Sequence, residues 1–242
     1  MLQLALPLQN SELLIRHSAR ARRLRVIVNQ IGSVEIVVPG SVSPQQVHEF
    51  IQQQQSWINE TRSYVQAQRQ GHLDSEKPQT IYLAAIDHFW DVCYVSGKRN
   101  RYTEELDVTN RHRLCLQHRS EHHAGSLMSD WLNNKAKQVL IPWLDQVSAE
   151  TGLHYNKVTI RAQKTRWGSC SARKNINLNR CLLFVEPRLV NYLMVHELCH
   201  TRYLNHSSKF WLLVKKFVPD YQECETLLDK ACYQLPRWAI TK

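Results

Sequence analysis

Apolar and β-branched residues alternate or run together in the first forty positions of the sequence, a pattern that predicts short strands. The segments LRVIVN and SVEIVVPG have this pattern, and Ile31-Gly32-Ser33 between them has the composition of a turn. Ser43 and Pro44 then supply a helix cap and a first-turn proline, and apolar residues follow at helical spacing up to about residue 69. The pattern therefore predicts a β-hairpin followed by one helix.

A polar segment, GHLDSEKPQT at residues 71–80, contains glycine and proline and has no apolar period. It is the predicted boundary between two modules. Beyond it, TIYLAAI, FWDVCYVS and the region around LCLQH again have the pattern of short strands. We therefore predict an amino-terminal hairpin and helix (1–75), a β-rich connecting segment (76–120) and a carboxy-terminal domain (121–242).

Helical and extended patterns both occur in the carboxy-terminal domain. A helix is predicted from about 122 to 151, where Pro142 should kink or interrupt it and Thr151-Gly152 should end it. Two predicted strands, NKVTIRAQ and INLNRCLLF, flank the turn-rich RWGSCSARKN, and Pro187 then begins a helix that runs through His200. Further helices are predicted at 207–217 and 219–233. The predicted fold class is α+β, with a smaller β-rich module and its helix preceding the main domain.

The composition of the chain and its first residues bear on whether the protein is predicted to be soluble, exported or inserted in a membrane. The chain has 242 residues, 43% of them apolar, which is sufficient for a buried core. No run approaches the ~18 apolar residues that a membrane-spanning helix needs, and MLQLALPLQN lacks the features of a signal peptide. The sequence predicts a soluble, cytoplasmic protein with no membrane partner.

The seven cysteines are scattered along the chain, and none forms a pair at the two-residue gap of a thiolate metal site. This distribution predicts reduced cysteines in a cytosolic protein. Cys170 and Cys199 lie near the motif described below, so metal ligation or a modulating role stays open for them.

The net charge of +10 favours anionic partners. The densest basic cluster has two interpretations, a solvated strand face or a surface that binds phosphates, and the second makes nucleic acid a candidate partner. The residues of this cluster are Arg16, Arg20, Arg22, Arg23 and Arg25.

The strongest chemical signal is VHELCH at residues 195–200, which matches the pattern H-E-x-x-H. His196 and His200 are four residues apart, so on a helix they present two imidazoles from one face to one ion. Glu197 lies about 100° further round the helix, where it can reach a water at the metal. The helix is apolar nearly all round, and buried polar groups require a partner. These residues therefore predict a metal site.

A catalytic zinc usually has three protein ligands and one open position. His206 is the candidate third ligand, if the helix ends before it so that the chain can fold back. Asn205 could end that helix in a left-handed conformation, and Ser207 could cap the next one. Glu223 or Glu225 is the alternative third ligand.

The predicted cofactor is one Zn²⁺ ion, although nickel, cobalt or manganese could occupy the same imidazoles. Zinc lowers the pKa of its bound water to ~7. Glu197 would take the proton of that water and later donate one to the leaving group. The predicted activity is hydrolysis at a carbonyl or phosphoryl centre.

A basic strand and turn precede the motif. Its cations could bind a phosphate or a terminal carboxylate, or they could simply be solvated at a sheet edge. Asn179 and Tyr203 could stabilise an oxyanion. The candidate substrate contacts are Arg161, Lys164, Arg166, Trp167, Asn179 and Tyr203.

The run QKTRWGSCSARKNINLNRCLLFVEPRLVNYLMVHELCHTRYLNHSSKFW at residues 163–211 resembles the signature of the YgjP-like metallopeptidase family, relatives of the SprT-type zincins. The segment ARRLRVIVNQIGSVEIVVPGSVSPQQVHEFIQQQQSWI also resembles the opening of that family. The resemblance implies a zincin-like metallohydrolase domain, metal ligands at His196, His200 and His206, and Glu197 as catalytic acid and base. It also implies that the INLN strand forms the upper rim of the cleft, near Trp167 and Gly168. Tyr203 replaces the glycine of the metzincin motif, which argues against that subfamily.

Three functions remain at this point. The first is a metallopeptidase acting on polypeptides. The second keeps the zinc site but hydrolyses a nucleotide, because members of the resembling family are associated with UTP pyrophosphatase activity. The third is a nucleic-acid-associated zinc protein that binds phosphates through its arginine cluster.

Overall fold

The computed structural model describes residues 13–28, 32–69, 77–106 and 111–240. Most of the predicted linker at 71–80, and Ile31 of the predicted turn, lie outside these residues. The chain divides into two compact units, Met1–His72 and Leu73–Lys242. The described residues form a mixed α and β structure with three sheets and six α-helices.

The amino-terminal unit contains a three-stranded sheet. Its strands are β1 (Leu13–His17), β2 (Arg25–Val28) and β3 (Val34–Val38), in the order β1-β3-β2. β2 and β3 are antiparallel and form the predicted hairpin, whereas β1 pairs with β3 in parallel. Gly32, in the hairpin connection, has a φ of 80°, a conformation that glycine adopts without steric cost.

Helix α1 (Pro44–Arg69) begins at the predicted proline. The Ser43 hydroxyl accepts a hydrogen bond from the backbone N–H of Gln46, and the Gln46 side chain accepts one from the Ser43 N–H. This reciprocal pair is a capping box, which explains why the helix starts here. The helix and the sheet share a small core of Val34, Ile36, Val38, Val47, Ile51 and Ile58.

The second unit opens with a four-stranded sheet in the order β4-β5-β7-β6. β5 and β7 are parallel, and the other two pairs are antiparallel. The pattern of apolar residues did not predict β6, because its RYTEEL sequence is mostly polar and exposed and pairs with β7 through the backbone. The strands are β4 (Thr80–Leu83), β5 (His88–Ser96), β6 (Arg101–Leu106) and β7 (His112–His118).

Helix α2 (Glu121–Thr151) packs on this sheet and continues through Pro142, so the predicted interruption is wrong. Pro142 is exposed, which places its ring on the solvent side of the helix. Gly152 ends the helix in a left-handed conformation, with a φ of 67°.

We expect Leu140→Ala to lower the free energy of unfolding by about 2–5 kcal/mol, because Leu140 in α2 is fully buried and its removal leaves a cavity. Leu212→Ala is the control, since that side chain is 67% exposed. Urea unfolding of both variants measures the difference. Equal destabilisation by the two substitutions would contradict the assigned core.

A three-stranded sheet in the order β8-β10-β9 follows α2. Its strands are β8 (Lys157–Arg161), β9 (Gly168–Cys170) and β10 (Asn175–Asn179). The predicted second strand ends early, because residues 180–184 form a 3-10 helix. The INLN residues lie in the central strand, so they do not form the rim implied by the resemblance. Among the described strands, β9 is the edge nearest the motif-bearing helix.

Four helices complete the unit: α3 (Pro187–Cys199), α4 (Ser208–Phe217), α5 (Tyr221–Ala231) and α6 (Arg237–Ile240). One hydrophobic core runs from β4 to α6 and includes Ile81, Trp131, Leu178, Val190 and Ala239. The residues predicted as a connecting segment therefore share a core with the carboxy-terminal helices. None of the helices in the described ranges is long and apolar enough to cross a membrane.

Cys93 and Cys115 form a disulfide between β5 and β7, where the two residues are register partners. The prediction that all cysteines are reduced is therefore wrong for this pair. No local pattern indicates this disulfide, because the two residues are separated by 22 positions and meet only when the parallel strands pair. The five other cysteines are free.

Candidate metal centre

Helix α3 carries the motif. Pro187 occupies its first turn, where a proline costs no hydrogen bond, and the helix is buried along most of its length. His196 and Glu197 lie in its last turn, and His200 is its C-cap residue. The two histidines are one turn apart, so their imidazoles leave the same face of the helix.

The chain reverses after His200, which brings His206 back to the helix. The backbone N–H groups of Arg202 and Tyr203 both donate to the Cys199 carbonyl, so a turn ends the helix. Asn205 does not have the predicted left-handed conformation: among described non-glycine residues, positive φ occurs at Asp87 and Lys174. Ser207 occupies the N-cap position of α4, but its side chain does not make the capping hydrogen bond that the prediction implied.

Three imidazole nitrogens converge between these elements. Nε2 of His196 lies 3.2 Å from Nε2 of His200 and 3.2 Å from Nε2 of His206. Two tetrahedral ligands at about 2.05 Å from a zinc ion would be about 3.3 Å apart, so this spacing suits a shared cation. In the described ranges these three residues are the one group of His, Cys, Asp or Glu that meets this ligand geometry.

The protonation of the histidines also suits a metal. His200 Nδ1 lies 2.9 Å from the carbonyl oxygen of Tyr203 and donates to it, which leaves the Nε2 lone pair free. Burial, with His200 and His206 nearby, lowers the pKa of His196 to about 3. A neutral imidazole is the form that binds a cation, so the donor set fits Zn²⁺ or a similar divalent ion.

Glu197 is the buried acid of the site. It is 4% exposed, and its Oε2 has no hydrogen-bond partner in the part of the chain that the structure describes. Burial raises the pKa of Glu197 to about 8, although the Arg166 charge acts in the opposite direction. A buried carboxylate oxygen without a protein partner is available to a water or a substrate.

Gly168 leaves the room that the glutamate occupies. A Cβ atom at Gly168 would lie 2.6 Å from Glu197 Oε1 and 2.9 Å from its Cγ, distances that real Cβ atoms do not show. The edge strand β9 therefore passes directly over the carboxylate. Sequence reasoning placed Gly168 near the cleft but did not identify this contact, because no local pattern indicates which residue a distant glycine accommodates.

Asn179 has a structural position rather than an exposed one. Its side-chain N–H groups donate to the carbonyls of Gln163 and Arg166 at 2.8 and 3.0 Å, and its Oδ1 accepts from the backbone N–H of Cys181. Only 4% of Asn179 is exposed. The side chain therefore holds the turn before β9, which differs from the oxyanion contact expected from the sequence.

The remaining candidate contacts surround this turn. Arg161, Lys164 and Arg166 are exposed. Trp167 is partly buried, and its indole N–H donates to the carbonyl of Leu228 on α5 at 3.1 Å. Tyr203 contributes its backbone carbonyl to His200. Of these residues, the structure gives an electrostatic link to Glu197 for Arg166.

The alternative ligands lie outside the histidine group. Glu223 forms an ion pair with Arg188, and neither it nor Glu225 belongs to the converging set. Cys170 and Cys199 are also outside that set. Burial raises the pKa of Cys199 to about 12, and burial together with Glu197 raises that of Cys170 to about 11, so both thiols are protonated.

Three converging imidazoles beside a buried carboxylate are typical of metal-dependent hydrolases. A comparison with models of known protein families agrees with this class. The profile described as "YgjP-like, metallopeptidase domain" matches residues 22–231. The chain therefore belongs to the YgjP-like metallopeptidase family, which supports a metal-dependent peptidase in general terms.

Two further comparisons were made. The search of curated proteins gives no match. Among solved structures, the metallopeptidase zymogen of Pyrococcus abyssi abylysin is 25% identical, with a TM-score of 0.37. The match covers 40% of this chain and 99% of that one.

Proposed function

We propose that this protein is a zinc-dependent peptidase with a zincin-like domain, in which His196, His200 and His206 hold one ion and Glu197 is the acid and base. The observation that carries the proposal is the convergence of three Nε2 atoms beside a buried carboxylate oxygen that has no partner among the described residues.

The protein residues divide the chemistry between them. When bound, zinc lowers the pKa of a water molecule and polarises the scissile carbonyl. Glu197 accepts the proton of the attacking water and then donates a proton to the leaving amine. Burial of this carboxyl keeps bulk water from competing for the same proton.

The edge strand β9 supports a polypeptide substrate. No described strand pairs with its outer side, so its backbone N–H and C=O groups there can bind an extended peptide as an added strand. Because Gly168 in β9 contacts the Glu197 side chain, a peptide on this edge would pass close to the acid. Such backbone pairing would bring an extended peptide to the site whatever side chains the peptide carries.

The proposal is tested by incubating the zinc-loaded protein with an unfolded polypeptide such as reduced, carboxymethylated casein. We expect fragments that a chelator abolishes and added zinc restores. An intact substrate over a wide range of pH and zinc concentration would contradict peptidase activity.

Gly168→Ala is expected to reduce kcat for peptide cleavage at least about 10-fold while zinc binding is retained. The added methyl group must displace the Glu197 carboxylate, and small misplacements of a catalytic group cost up to about 100-fold. Gly125→Ala is the matched control, because a Cβ there meets no atom within 4 Å. Unchanged kcat in Gly168→Ala would show that the contact with Glu197 has no catalytic role.

Hydrolysis of a nucleoside triphosphate is the second candidate, favoured by one observation. Arg166 is exposed and lies close enough to Glu197 to affect its pKa, so it could bind a phosphate beside the acid. This candidate predicts release of pyrophosphate from UTP, and Arg166→Gln should raise the KM for UTP but not for peptides. If neither UTP nor another nucleoside triphosphate is hydrolysed, this candidate function is excluded.

A further inference from the structure

Five arginines lie close together at one end of the amino-terminal sheet, outside the unit that contains the metal centre. We call Arg16, Arg20, Arg22, Arg23 and Arg25 the arginine surface. All five side chains are exposed. We propose that the arginine surface binds the phosphate backbone of a nucleic acid duplex, an interaction that is independent of the proposed peptidase activity.

Strand register places two of these arginines on the same face. Arg16 in β1 and Arg25 in β2 are both partners of Val37 in the central strand β3. Register partners project to one side of a sheet, and neighbouring strands are about 4.8 Å apart. The Cα atoms of Arg16 and Arg25 are therefore about 10 Å apart, with their side chains on the same side of the sheet.

The connection between β1 and β2 carries the other three arginines. The backbone N–H of Ser18 donates to the carbonyl of Val38 at 2.9 Å, and that of Ala21 donates to Ser18 at 3.1 Å. These bonds tie the start of the connection to the end of β3. Arg20, Arg22 and Arg23 are thus held near the same end of the sheet.

Little negative charge opposes the arginine surface. Residues 13–28 contain no Asp or Glu. Arg16 pairs with Glu35 of β3, whereas the structure shows no ion pair for the other four within the ranges it describes. Among the described residues, no acid therefore neutralises these four guanidinium groups.

The chemistry of the surface favours duplex phosphates over other anions. Guanidinium groups bind phosphate oxygens in pairs of parallel hydrogen bonds, and five of them spread over two strands and a connection exceed what a single phosphate needs. Residues 13–38 contain no Phe, Tyr or Trp on which unpaired bases could stack. The side chains between the arginines of the connection are short, and Leu24 packs against the core of its own unit, so the connection itself presents no large apolar group to a lipid surface. Leu14 and Ile15 of β1 are exposed next to Arg16, and the vesicle measurement below therefore distinguishes a lipid partner from a duplex.

The test is fluorescence anisotropy of the full chain with a labelled 20-base-pair duplex at several salt concentrations. Each phosphate contact contributes a slope of about −0.9 to log K against log salt. With one phosphate contact for each of Arg20, Arg22, Arg23 and Arg25, the wild type should show a slope near −3.6, which corresponds to about 150-fold weaker binding at 200 than at 50 mM salt. Arg20→Gln, Arg22→Gln and Arg23→Gln together leave Arg25, so they should reduce the slope to about −0.9 and the affinity at 0.1 M salt at least about 10-fold.

A second triple variant controls for net charge. Lys157→Gln, Lys215→Gln and Lys230→Gln remove the same charge from exposed, scattered positions of the other unit and should change affinity less than about 2-fold. Arg20→Lys, Arg22→Lys and Arg23→Lys should retain most of the salt slope. Circular dichroism checks that each variant is folded.

Three results would overturn the proposal. The duplex could fail to bind at about 0.1 M salt, the arginine-to-glutamine and lysine-to-glutamine variants could lose the same affinity, or a single-stranded oligonucleotide could bind more tightly than the duplex. Binding to vesicles of phosphatidylglycerol but not to duplex would assign the arginine surface to a lipid partner instead. Two duplexes of unrelated sequence should bind with similar affinity, because contacts to phosphates carry no sequence information.

Discussion

Glu197→Gln is expected to lower kcat/KM for peptide cleavage by about 10²- to 10⁴-fold while the protein still binds one zinc ion. The amide has the size of the carboxyl but cannot accept the proton of the attacking water. The substitution also leaves the three imidazoles untouched, because Glu197 is not a member of the histidine group. Turnover of a fluorogenic peptide and metal content measured on the same preparation separate chemistry from metal loss.

Glu225→Gln is the matched control for this substitution. Glu225 is an exposed glutamate on α5 and was the alternative third ligand, so its replacement should change neither metal content nor turnover. Full activity in Glu197→Gln would assign proton transfer to another group. Loss of metal in Glu225→Gln would restore that residue as a ligand.

His206→Ala is expected to weaken zinc binding by about 100-fold or more. Replacing residues that only support a ligand costs 10- to 100-fold in affinity, so removing one of three ligands should cost at least the upper value. His206 Nε2 lies 3.2 Å from His196 Nε2, and the loop that carries it has no other residue in the converging set. Competition titration with a chromogenic chelator measures the change.

The same substitution has a thermal consequence. A ligand present at 100 times its Kd stabilises the folded state by about 2.7 kcal/mol, so zinc should raise the Tm of the wild type. At the same zinc concentration, His206→Ala should show only a small part of this rise. His154→Ala, at an exposed histidine of the same unit, should behave as the wild type does. If zinc raises the Tm of His206→Ala as much as that of the wild type, His206 is not a metal ligand.

Local patterns predicted the long elements well. Helix α1 begins at Pro44, where a capping box and a proline coincide, and α3 begins at Pro187, where the proline acts without a side-chain cap. Strand β6 was missed because its residues are polar on both faces, so that only its pairing with β7 makes it a strand. The predicted break at Pro142 was wrong because an exposed proline does not oblige a well-packed helix to end.

The motif residues were visible in the sequence because their spacing is local. His196 and His200 are one turn apart on a helix that the apolar pattern predicts, so their common face follows from helical geometry alone. The contact between Gly168 and Glu197 joins residues 29 positions apart, and the bonds of Asn179 join two segments of a turn. No periodicity reports such contacts, since they depend on how β9 and β10 pack beside α3.

The amino-acid sequence by itself determined the helices and most strands, the metal-binding motif and the excess of positive charge, because each of these depends on neighbouring residues or on composition. The tertiary structure decided that β9 rather than β10 is the edge beside the acid, that Cys93 and Cys115 meet, and that Arg16 and Arg25 share one face. The physical reason is that strand pairing and packing bring together residues that are distant in the chain, and those contacts are selected by the whole core rather than by any one segment.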